Sequence, residues 1–294
     1  MDLTVYKYFG PAYISRFEEE PTKYIFQDTV SLQNLKRFIV EQNEFLKSIT
    51  QDEKYIFESY TKYGDKIINN VLRNTANVKN IRTTINLFTR DKESIYLNNL
   101  LKNYKQDSDS IVQFAQEYVK QFISIWKKVP RVSEPFKVFR GTKIPSDKMT
   151  GFISTTFYPH DYNSLLQYAD KDCCVYELKL NKGVRALLLK DVSRWYENEI
   201  LIDPLSNIVL QPNYTVKTIE GFSTTYESDF SVELNTYSGE VNSNLSEVYT
   251  IPGVNRNVGM VSQLLQKTPY ITPSIAAGKR TKRSKRKARK TRRR

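Results

Sequence analysis

The chain has 294 residues and is 39% hydrophobic, enough for one large domain or two small ones, and no run approaches the ~18 apolar residues that span a bilayer. Its net charge of +13 is concentrated in one place: Lys279 to Arg294 holds 12 Lys or Arg and no acid, and without them 33 basic residues face 32 acidic ones. Two adjacent cysteines, Cys173 and Cys174, and a single histidine, His160, are too few for an ordinary structural zinc site, and a Ser-His-Asp or Cys-His hydrolase would rest on that one histidine.

The N-terminus lacks a basic segment followed by an apolar run, so no secretory signal is expected. The first half reads as helix. Leu35, Phe38, Ile39, Phe45, Leu46 and Ile49 recur at helical spacing. Thr50-Gln51-Asp52-Glu53 fits a capping box that opens a second helix, which Gly64 and Asp65 break. Ile67 to Leu72 predicts a short helix, and Ile81 to Tyr104 a longer one. A last helix follows Asp107, with Ile111, Phe114, Tyr118, Phe122 and Ile125 on one stripe.

After Pro130 the pattern changes to short strands separated by turns: 136–140, 152–157, 175–180, 184–189, 199–202 and 214–219. A helix is expected at 163–169, and His160 reads as a loop residue. Residues 223–240 are expected to add peripheral strands. Helices first and strands second give an α+β fold with a mostly antiparallel sheet region. The expected organisation is an N-terminal helical extension over 1–50, a main domain over 51–240, a largely disordered linker over 241–278 and a basic disordered tail over 279–294.

Three strings carry chemistry. Arg140 ends a strand and is followed by Gly141. A guanidinium fork binds phosphate oxygens at two points, and glycine lets a ligand approach the backbone. Ser154-Thr155-Thr156 offers three hydroxyls, echoed by Ser223-Thr224-Thr225. The first copy is preferred because it lies between the arginine and the acids. Glu197 and Glu199 are two apart on a strand, so both carboxylates share a face. Like charges so close drive their proton affinities apart and suit distinct roles at a sugar carbon that becomes cationic.

In this order, and with their flanks, these strings resemble the arginine–serine–glutamate class of ADP-ribosyltransferases, in particular the bacterial exoenzyme toxins. The likeness covers roughly residues 55–220. Tyr60-Thr61, Tyr63, Ile68-Asn69 and Leu72-Arg73 look like its helical motif. Val138 to Gly141 looks like its first catalytic strand, and Phe152 with Ser154 to Thr156 its second motif, Thr156 standing where serine is usual. Arg185 to Leu188, Ser193 and Glu197 to Leu201 look like its paired-glutamate segment.

The resemblance implies NAD as co-substrate, no metal, and a cleft between sheets. Arg140, Gly141, Ser154, Thr155, Asn69 and Arg73 would bind NAD. Ser154 would orient the catalytic Glu199, and Glu197 would position and deprotonate the acceptor. Trp195 and Tyr196 would recognise the protein substrate. Glu-x-Glu in this family goes with arginine acceptors, so transfer of ADP-ribose to protein arginine is expected. An NAD glycohydrolase, or an inactive module of this fold that binds nucleic acid, remain as alternatives. The tail, without aromatic residues, suits nuclear targeting or non-specific association with nucleic acid rather than base stacking. A nuclear or virion-associated protein, as from a large DNA virus, fits that tail.

Overall fold

The computed structural model describes residues 28–91, 94–142, 149–157, 174–189, 192, 199–223, 228–244 and 248–254. The chain divides into two units, Met1–Val258 and Gly259–Arg294. The second unit, with the basic tail, lies outside the described residues, as do His160, the helix expected at 163–169, Ser193, Trp195, Tyr196 and Glu197.

Among the described residues, six α-helices come first: α1 (Thr29–Ser48), α2 (Gln51–Ser59), α3 (Asp65–Leu72), α4 (Val78–Asp91), α5 (Ile95–Leu101) and α6 (Ser108–Trp126). Their starts follow from local chemistry. Asp28 caps α1 by accepting from Ser31 N at 2.9 Å. Thr50 and Glu53 form the expected capping box on α2, and Asp107 accepts from Ser110 N at the start of α6. The single helix expected over 81–104 is two helices, because Ser94 has non-helical backbone angles before Ile95.

A π-turn at Tyr60–Gly64 joins α2 to α3, with Tyr63 at φ +76°. Gly64 is required there: a Cβ would collide with the Tyr118 hydroxyl, which Ser59 Oγ meets at 2.8 Å. This packing throws α3 across the buried face of α6, where Ile111, Phe114, Tyr118, Phe122 and Trp126 are fully covered.

Among the described residues, seven strands follow: β1 (Phe136–Thr142), β2 (Ile153–Thr156), β3 (Cys174–Leu180), β4 (Ala186–Leu188), β5 (Glu199–Ile202), β6 (Asn207–Ser223) and β7 (Ser228–Asn242). The architecture is α+β, as expected. The strands form one sheet ordered β4-β5-β2-β1-β3-β7-β6. Its pairings are antiparallel except β3 with β7, so the sheet is mixed. The two expected sheets appear as two halves of this one, joined by a single registered pair, Phe139 with Thr156.

Two apolar clusters cover the two faces. One joins the helices to Phe152, Leu187, Leu189 and Leu201; the other joins Leu35, Phe38 and Ile39 of α1 to Ile153, Ile200, Ile202 and the inner residues of β1 and β3. The alternation along β2 and β5 is therefore real, with both faces buried. Helix α1 packs into the core: Phe38 lies on Phe136 at 4.8 Å, and the buried Gln42 accepts from Leu188 N. The strands expected as peripheral are a long hairpin, and its β7 runs along the whole of β3. Part of the expected linker is ordered against the helices: Tyr249 and Ile251 pack on the core, and Val254 is buried in it. No helix among the described residues is long and apolar enough to cross a membrane.

Candidate active site

The site lies where β1 and β2 part. Their ladder has only the Phe139–Thr156 pair, while β1 continues beside β3 through Arg140, Gly141 and Thr142. Arg140 Nη1 reaches across the opening and donates to the Ser154 carbonyl at 2.5 Å. A cavity of about 310 Å³ opens beside it, lined by Arg73, Arg140, Thr142, Met149, Thr150, Ile153 and Tyr176.

Two guanidinium groups thus face one cavity. Withdrawal from water lowers the proton affinity of Arg140, and the nearby positive charge of Arg73 lowers it further; Tyr60, Glu199 and Tyr176 act the other way. Such a pair of cations is unfavourable alone and favourable around a dianion.

Helix α3 and its preceding turn supply the other wall. Arg73 Nε donates to the Thr150 carbonyl at 2.8 Å. Asn69 is engaged on both sides: its Oδ1 accepts from Phe152 N at 2.8 Å, and its Nδ2 donates to the Tyr60 hydroxyl at 3.1 Å. Gly151, at φ +75°, permits this contact, since a Cβ would sit 2.6 Å from Asn69 Oδ1 and 3.1 Å from Arg73 Nε. Asn69 thus braces the start of β2. Tyr60 itself packs on Phe122 and Phe152, and Phe152 sits on Trp126 at 4.6 Å.

Glu199, half-buried at the head of β5, pairs directly with Thr156, while Ser154 pairs with Leu201. Paired residues share a face, so Glu199, Thr156 and Ser154 all look toward the helices. Thr156 is the nearer hydroxyl by register and Ser154 the diagonal one. Thr155 looks the other way and donates to the Ile200 carbonyl at 2.8 Å, tying β2 to β5. It is buried in the sheet; neither it nor Ser154 nor Glu199 lines the cavity, whose strand wall is Arg140, Thr142, Ile153 and Tyr176. Glu199 acts electrostatically on both Tyr60 and Arg140. Burial pushes the Tyr60 phenol well above its usual range, with the Glu199 carboxylate adding to this. Tyr60 thus stays a neutral hydroxyl.

The structure brings together Arg140, Gly141, Ser154, Glu199, Arg73 and Asn69, which sequence motifs singled out. It adds Tyr60, Gly151, Thr150 and Tyr176. Tyr60 lies in the helical motif, but nothing local shows that its ring meets Phe152 edge-on just before β2. The echoing Ser223 ends β6, at the sheet edge away from β5.

Several solved proteins are similar to this chain. One is Plx2a, an ADP-ribosyltransferase toxin from Paenibacillus larvae, at 17% identity over 72% of this chain and 96% of that one, with a TM-score of 0.37. Another is the C3 exoenzyme of Clostridium limosum, at 13% identity over 72% and 94% of the two chains, with a TM-score of 0.38. Vis toxin, an ADP-ribosyltransferase from Vibrio splendidus, gives 14% identity over 77% and 88%, with a TM-score of 0.38. No curated protein matches the chain. The profile of the ADP-ribosyltransferase exoenzyme family matches residues 35–211, more than half of the chain and all of the strands that form the cleft. The chain belongs to the ADP-ribosyltransferase exoenzyme family.

Proposed function

We propose that this protein transfers ADP-ribose from NAD to arginine side chains of a protein acceptor. The observation that carries the reading is the cavity that Arg140 and Arg73 share beside the gap between β1 and β2, with Glu199 on the neighbouring strand near enough to act electrostatically on Arg140. NAD supplies an ADP-ribosyl group whose bond to nicotinamide breaks with positive charge developing on the ribose carbon.

Arg73 and Arg140 hold the pyrophosphate. The Gly141 backbone, paired with Val175 of β3 and unregistered on its β2 side, receives the nicotinamide amide. Glu199 offers a carboxylate to the ribose 2′-hydroxyl and to the developing positive charge, the kind of electrostatic help that contributes most in such sites. Thr156 and Ser154 orient that carboxylate, and the neutral Tyr60 keeps a hydrogen-bonding hydroxyl on the same side. Glu197 takes the proton from the acceptor guanidinium, with Trp195 and Tyr196 contacting the acceptor protein; for these three the support is the Glu-x-Glu motif in the sequence.

The basic run Lys279 to Arg294 adds association with nucleic acid or delivery to the nucleus, or a place in a virion; its support is composition, twelve cations and no acid. Transfer of labelled ADP-ribose to polyarginine or histones tests the activity. Wild type is expected to label them, Glu199→Ala to do nothing, and Glu197→Ala to release nicotinamide without labelling. Release of nicotinamide by wild type with no label on any arginine acceptor would favour a glycohydrolase.

A further inference from the structure

The short strand that carries Glu199 is anchored at its other end by groups that the proposed chemistry does not use. Asp203 directly follows β5 and is 6% exposed; Arg185 directly precedes β4 and is 5% exposed. Asp203 N donates to the Arg185 carbonyl at 3.0 Å, and Leu205 N to Asp203 Oδ1 at 3.0 Å. Arg185 Nε lies 3.9 Å from Asp203 Oδ2, and Arg185 Nη1 donates to the carbonyls of Lys127 and Val129 at the end of α6. The Tyr249 hydroxyl completes the cluster, donating to Asp203 Oδ2 at 2.9 Å, with Lys127 Nζ over its ring at 5.7 Å. Tyr249 belongs to residues 248–254, which lie beyond the family match at 35–211 and pack on the helical core through Ile251 and Val254.

We propose that residues 248–254 form a strap whose Tyr249 locks the register of β5, which makes Asp203, Arg185 and Tyr249 positioning residues for Glu199. The β4–β5 ladder has three registered pairs, with Leu189 N donating to the Glu199 carbonyl at one end and the Arg185–Asp203 cluster at the other. A slip of one residue in so short a strand would turn Glu199 to the opposite face. Strand β2 resists that slip through the Thr155–Ile200 bond, and the Arg185–Asp203–Tyr249 cluster resists it from the far end. This inference rests on the proposed role of Glu199, but the lock itself can be read without turnover.

The test compares wild-type full-length protein with Tyr249→Phe, which keeps the ring and removes the hydroxyl, and Asp203→Asn, which keeps an acceptor and removes the charge opposite Arg185. Amide hydrogen exchange at Ile200–Ile202 is expected to quicken roughly 5- to 30-fold in Tyr249→Phe while β1 and β3 are unchanged, the effect of losing one buried hydrogen bond. The kcat for nicotinamide release is expected to fall about fivefold or more with KM for NAD within about twofold. Asp203→Asn is expected to quicken exchange further, because Arg185 loses its counter-charge. Exchange in β5 equal to wild type in both variants, or faster exchange spread evenly over the domain, would overturn the lock. Altered β5 exchange with no NAD turnover even in wild type would leave the lock standing and count against the proposed function.

Discussion

Replacing Gly151 by alanine probes the wall of the cleft with one methyl group. The residue sits at φ +75°, a conformation that costs an L-residue about 1–2 kcal/mol. The new Cβ would also lie 2.6 Å from Asn69 Oδ1, so the Asn69–Phe152 hydrogen bond must open, at about 1 kcal/mol. The expected destabilisation is about 2–3 kcal/mol. Because Asn69 also bonds Tyr60, and Arg73 Nε is 3.1 Å from the same Cβ, NAD affinity should fall with it. Urea unfolding followed by circular dichroism gives the stability, and calorimetric titration with NAD the affinity. Removing Asn69 as well clears the clash, so Asn69→Ala/Gly151→Ala should be less destabilised than the sum of the single variants by about 1 kcal/mol. Additive effects, or a Gly151→Ala protein within about 0.5 kcal/mol of wild type, would refute the brace.

Three further outcomes follow from the same geometry. Arg140→Lys loses both the bond to the Ser154 carbonyl and the guanidinium fork, so KM for NAD should rise about tenfold in steady-state assays of nicotinamide release. Tyr60→Phe removes the acceptor of the Asn69 amide but keeps the ring on Phe122 and Phe152; it should cost about 1 kcal/mol in urea unfolding, not the roughly 3 kcal/mol or more of Tyr60→Ala. Burial raises the Glu177 carboxyl, but Lys217 at 2.6 Å and Lys137 at 3.1 Å outweigh it and hold it below the usual range. A depressed carboxylate stabilises the fold fully above its unfolded value near 4.5 and loses that contribution as pH falls through the folded value. Glu177→Gln should therefore be less stable than wild type at about pH 7, with the difference shrinking below about pH 4.5 in thermal melts across pH.

Helix starts were legible wherever a side chain caps them, as at Thr50 and Asp107, because capping is local chemistry. The strand that carries Arg140 and the one that carries Glu199 were legible from alternation, since side-chain period alone sets the face. What alternation could not give was neighbourhood. Thr155 reads like Ser154 in the sequence, yet its place one step along β2 turns it to the opposite face, where it binds Ile200. The Asn69–Phe152 bond is not legible in the sequence, because a glycine far along the chain, Gly151, brings the backbone of Phe152 to it. The polar stretch after Asn242 reads as linker, because the partners of Tyr249, Asp203 just after β5 and Lys127 just after α6, lie far away in sequence.

The most direct test of the account is nicotinamide release from NAD by wild type and Glu199→Gln, with NAD affinity measured beside it. Glutamine keeps the size and the pairing with Thr156 but removes the charge. The account predicts a fall in kcat of about 10²- to 10³-fold with NAD affinity within about threefold of wild type. Equal turnover by the two proteins would contradict the assignment of Glu199 to the chemistry.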